Sequence, residues 1–179
     1  MKKKIVSIAL ACALFAVAVA GGTLAYFTAN DKAKNDFTVG NAAIDIEEPA
    51  WEAALQNGET ENMYPGQTVA KDPQVLNTGN NPVFIRVKVE NPTGVKVTYN
   101  NMSANWTLYG DYYYYNKPVD AREKTDALFT SFTLSTETEN GVVDAQSITV
   151  KADAVQSQGF TGDVANVAEL DVWFRTCLN

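Results

Sequence analysis

Short apolar runs punctuated by turn residues predict a mainly β protein, an antiparallel jelly roll or β-sandwich with one or two short helices, preceded by an N-terminal signal helix. Three observations carry this expectation. Val83, Ile85, Val87 and Val89 alternate with Phe84, Arg86, Lys88 and Glu90, the period-2 pattern of a half-buried strand. Further short runs recur at a spacing of roughly ten residues, separated by Gly, Pro and Asn. Finally, Ile5 to Ala20 is sixteen residues without charge behind Lys2, Lys3 and Lys4, which is the layout of a secretory signal.

Taken in order, the apolar run comes first. As a helix it would span about 24 Å, short of a hydrocarbon core of about 30 Å, and Gly21-Gly22 ends it. A removable signal is therefore favoured over a permanent span. Thr23 and Ala25 place small residues where signal peptidase requires them, so the cut is expected between Ala25 and Tyr26. Cleavage there removes three lysines and moves the formal charge from −7 to −10. Such an acidic chain lacks the basic face that nucleic acid or anionic lipid needs. Cys177 is then the single remaining cysteine, which excludes an intramolecular disulfide in the processed chain.

Residues 26–38 read as a flexible arm and 39–179 as the β domain. Tyr26 and Phe27 open the arm, and small or charged residues fill it to Asp36. Phe37 and Val39 differ in parity from Ile44 and Ile46, and Gly40-Asn41 between them would absorb the extra residue as a bulge or kink. Pro49 stops this strand, and a short helix over Trp51–Gln56 fits the surface excursion that follows. After the strand at residues 83–90, Asn91-Pro92-Thr93-Gly94 predicts a tight turn into Val95, Val97 and Tyr99, and hence a hairpin. Trp106 and Leu108 begin another strand, and Gly110-Asp111 turns the chain into Tyr112–Tyr115. On a strand these four tyrosines split between two faces, so one pair is expected inward and the other in water. Phe132 with Leu134, and Ile148 with Val150, mark two more strands. Helical spacing of Val164, Val167, Ala168 and Leu170 predicts a terminal helix over Thr161–Phe174, with Thr161 and Asp163 as available caps.

The chain contains no histidine. That removes Ser-His-Asp and Cys-His arrangements, the His-based zincin motifs and nearly every ordinary catalytic zinc site. No glycine-rich phosphate loop is present, and no acidic spacing matches a calcium loop. Asp45 with Glu47 on one strand face reads as a solubility device. No catalytic, cofactor-binding or metal-binding residue is therefore assigned.

The run GGTLAYFTANDKAKNDFTVGNAAIDIEEPAW resembles the export signal and mature start of the TasA/camelysin family of Gram-positive secreted proteins, processed by a SipW-type signal peptidase. YPGQTVAKDPQVLNTGNNPVFIRVKV and GDYYYYNKPV resemble further blocks of the same family. The resemblance implies a jelly-roll subunit of extracellular biofilm-matrix fibres, which meets a membrane only before cleavage and has other matrix proteins as further partners. It also implies self-assembly into filaments, in which the freed N-terminal segment of one copy completes the sheet of the next. Carried over, the donor lies within Tyr26–Val39, with Tyr26, Phe27, Phe37 and Val39 as its contact residues. The camelysin branch is also classed as a metallopeptidase, from which a chain without histidine departs. A monomeric surface adhesin using the tyrosine face is the other alternative.

Overall fold

A computed structural model describes residues 42–91, 94–137 and 147–178. The chain runs β1 (Ile44–Glu47), α1 (Pro49–Gln56), β2 (Thr68–Ala70), β3 (Gln74–Asn77), β4 (Val83–Glu90), β5 (Val97–Asn100), β6 (Trp106–Tyr109), β7 (Tyr112–Tyr115), β8 (Ser131–Leu134), β9 (Thr149–Gln156) and α2 (Val167–Leu178). The expected mainly β, antiparallel architecture with a C-terminal helix is present. The signal helix, the arm and the bulge at Gly40-Asn41 lie outside the described residues.

Four strands form one sheet in the order β6-β7-β4-β9, and β2-β8-β5 and β1-β3 form the others, every pair antiparallel. The last two are stitched into one layer by the segment leading into β8. Lys71 N–H donates to the Thr130 carbonyl at 3.2 Å, Leu128 to Pro73 at 2.9 Å, Thr125 to Val75 at 3.0 Å and Asn77 to Glu123 at 2.9 Å. β2 and β3 thus behave as one strand broken at Lys71–Pro73, where a proline has no N–H to offer.

The main core lies between the layers. Val83, Ile85, Val87, Trp106 and Tyr115 from the four-stranded sheet meet Val75, Leu128 and Phe129 from the other. Asn77 is fully buried and fully satisfied. Its amide donates to the carbonyls of Asn81 at 2.8 Å and Val119 at 3.0 Å, and its oxygen accepts from Gly79 N–H at 2.9 Å. A buried amide left unpaired would cost about 1–3 kcal/mol, so this network fixes how β3 turns into β4.

Two sequence expectations are corrected. β5 does not form a hairpin with β4. It pairs with β8, while β4 pairs with β7 and β9. The chain changes layers here because Val97 and Tyr99 cover Phe132 in the β2-β8-β5 sheet. The terminal helix starts at Val167 instead of Thr161, because its cap is Asn166. The Asn166 side-chain oxygen accepts Ala168 N–H at 3.3 Å, and its amide donates to Glu169 at 2.7 Å. The β6–β7 hairpin forms as expected, with Gly110 at φ 60° supplying the first position of its two-residue turn.

Candidate assembly margins and the helix-capped face

Ala25, Tyr26, Phe27, Phe37 and Val39, the residues singled out for cleavage and donor pairing, all lie outside the described residues. What the described part offers is a set of sheet margins. Among the described residues, one side of each of β1, β2, β5, β6 and β9 has no partner strand. Such a side presents backbone N–H and C=O groups that water or an added strand must satisfy.

The margins differ chemically. β9 carries Lys151 and Asp153, and Lys151 meets Glu90 on β4 at 2.7 Å. β1 carries Asp45 and Glu47, the latter 3.6 Å from Lys124. Just beyond β1, Glu48 receives the buried Lys71 ammonium at 2.8 Å, and that ammonium also lies 4.6 Å from the Trp51 ring centre. The second Glu48 oxygen, Oε1, is buried without a hydrogen-bond partner among the described residues. β2, β5 and β6 carry no charge.

Beneath α2 lies the most polar part of the interior. Phe84, Tyr114 and Val155 on the outer face of the four-stranded sheet pack against Leu170 and Phe174 of the helix. Arg86 is set among them. Its Nε donates to Asp153 at 2.8 Å, its Nη1 lies 3.7 Å from Asp171, and its guanidinium stacks 4.0 Å from the Tyr112 ring centre. Asp171 also accepts the Tyr114 hydroxyl at 2.6 Å and a bond from Arg175. Burial works against the Arg86 charge, but Tyr114 and Asp153 outweigh it and hold its pKa above the ordinary value. Burial first, and then the bond to Asp171, pushes Tyr114 up to about 12 against the opposing effect of Arg86. The expectation of a wet tyrosine pair is therefore corrected. Tyr114 and Tyr115 point to opposite faces and both are buried, because α2 covers the face that alternation alone leaves open.

These features define a two-layer antiparallel β domain with open margins and a helix clamped over one outer face. The camelysin metallo-endopeptidase family model matches residues 1–111 of the 179, and the chain belongs to that family. No curated protein matches the chain. No solved structure matches it either. The family description implies a metal, and the described residues do not fit one. The whole sequence has no histidine, and no group of three or more Cys, Asp or Glu able to hold an ion occurs among the described residues. Nor is any helix among the described residues long and apolar enough to cross a membrane.

Proposed function

We propose that this chain is a secreted structural subunit that builds extracellular matrix fibres by lending its N-terminal arm to the next copy. The observation that carries the reading is the extent of the family match, residues 1–111, a range that includes the segments read as signal and arm together with β1 to β6. Two physical facts support it. An arm from Tyr26 to Phe37 reaches about 40 Å when extended, comparable with the width of a domain of this size. Head-to-tail addition of one copy to the next yields an open filament whenever the rotation between copies does not close a ring.

In this reading the signal at residues 1–25 is removed by a SipW-type peptidase, and cleavage after Ala25 licenses assembly. Until then the arm is tethered to the membrane. The subunit itself performs no catalysis, in keeping with the missing histidine ligands. The test is N-terminal sequencing of the exported protein, with electron microscopy of the same sample and of a variant beginning at Phe37. A mature start at Tyr26 and filaments lost on shortening are expected. Undiminished filaments from the shortened chain would rule out the arm. Casein hydrolysis abolished by a chelator would favour a peptidase instead, and a glycan-binding species that stays monomeric would favour an adhesin.

A further inference from the structure

We infer that β6 is the margin that receives the arm of a neighbouring copy, with Phe27 set beside Leu108 on the inner face and Tyr26 beside Tyr109 on the outer face. This assignment rests on the donor-arm assembly proposed above and adds where the arm goes.

β6 is the least protected of the described margins. Natural sheets shield their free sides with charge, as β9 does with Lys151 and Asp153 and β1 with Asp45 and Glu47. β2 and β5 are uncharged, but β2 exposes only Thr68 while Val69 is buried, and the apolar side chains of β5 are at least half-buried, with the Tyr99 hydroxyl bonded to Asn91. β6 has no charge and exposes two large apolar side chains, Leu108 at 57% and Tyr109 at 41%.

The position of Leu108 is the decisive detail. Register places Ala152, Val87, Tyr113 and Leu108 side by side across the four-stranded sheet, all on the face that carries the core. Its neighbour Trp106 on the same face is buried at 7% exposure, yet Leu108 is open. The apolar row ends one strand early. An added strand would extend it by one more apolar side chain, while its backbone satisfies the free N–H and C=O groups of β6.

The donor must match both faces at once. Consecutive residues on a strand point to opposite sides, so filling the gaps beside Leu108 and Tyr109 takes two adjacent apolar residues. Within residues 26–36 only Tyr26-Phe27 supplies an aromatic pair of that kind. Phe37 and Val39 share one parity and so serve one face alone. Fifteen residues separate Tyr26 from Ala42, where the described domain begins. Extended, they reach about 50 Å, more than the roughly 35 Å across a domain of this length.

Cross-linking between differently tagged copies tests the placement. The full chain is exported and processed in a Cys177→Ser background, once with Phe27→Cys and once with Leu108→Cys, and the two proteins are mixed, assembled and oxidised. A covalent pair containing one of each is expected, with none when Ile46→Cys on β1 replaces Leu108→Cys. Separately, Leu108→Lys, at a site open enough to accept the charge without unfolding, should slow filament growth at least about tenfold. Ile46→Lys should grow as the parent does. Circular dichroism confirms that each variant is folded.

A bond to position 46 in place of 108, a bond closed within one chain when Phe27→Cys and Leu108→Cys are combined, or normal growth of Leu108→Lys would overturn the assignment to β6. If deletion of residues 26–36 abolishes filaments while Leu108→Lys does not, the arm is the donor and another margin receives it. If filaments survive that deletion, donor-arm assembly itself is wrong.

Discussion

From Val83 to Val87, strand β4 is covered on both faces, and the two faces are built from different materials. Inward, Val83, Ile85 and Val87 present only hydrocarbon to the opposite layer. Outward, Phe84 is followed by Arg86, whose charge is retained under a helix and matched by Asp153, Asp171 and Tyr114. The inner face is secured by area and close fit, and the outer by area plus a satisfied polar network. Only the second depends on a segment that arrives about eighty residues later in the chain. A sheet face can thus keep a polar sequence signature and still be interior, provided a later element brings the complementary groups.

If both faces are true interior, cutting into either should cost about the same. Phe174→Ala, at a fully buried site on α2, should lose about 4 kcal/mol, and Ile85→Ala, at a fully buried site on β4, about 3 kcal/mol, measured by urea unfolding. A loss below about 1 kcal/mol for Phe174→Ala would show the outer face to be a loose cover.

Arg86→Met separates charge from packing. Asp171 keeps Arg175 and Asp153 is partly exposed, so a loss of about 2 kcal/mol is expected, less than removal of a sole partner would cause.

Tyr114→Phe removes one hydrogen bond to a carboxylate and should cost about 1.5 kcal/mol at neutral pH. It should also change the alkaline limb. Tyr99, through burial and then Tyr113, is likewise pushed up to about 12. For both tyrosines the folded state holds the phenolic proton more tightly than the unfolded chain, whose value is about 10. Their contribution is complete below about 10 and is lost as pH rises to about 12. Stability of the parent should fall across that window, and the slope should be shallower in Tyr114→Phe.

The smallest effect belongs to the surface. Lys96 and Glu137 are 2.6 Å apart but each is about 70% exposed, so Lys96→Ala should shift stability by less than about 0.5 kcal/mol.

Much of the architecture was legible because alternation reports burial on one face. β4, the β6–β7 hairpin and α1 lie where the residues place them. What failed were features set by distant partners. Arg86, Lys88 and Glu90 read as one solvated face, because nothing local announces that Asp171 and Phe174 will cover the first of them. The turn after Glu90 reads as a hairpin, because sequence adjacency carries no information about which layer Tyr99 joins. β2 and β3 went unread, since Lys71-Asp72-Pro73 interrupts a strand already short. On the assembly side, the arm at residues 26–38 is an expectation from composition that lies outside the described residues, and the openness of Leu108 has no sequence signal. It shares parity with buried Trp106, so alternation alone does not distinguish the two.

The Lys71–Glu48 contact has a mechanical meaning. The described chain enters its domain through the four residues of β1, a short grip whose rungs can yield in succession. Immediately behind them sits an ammonium enclosed by carboxylate and indole, which cannot be loosened by degrees, since parting the two charges strands each in a dry setting. Tension applied at the entrance therefore meets its stop at Glu48, and a domain strung in series with others would hold or give way there.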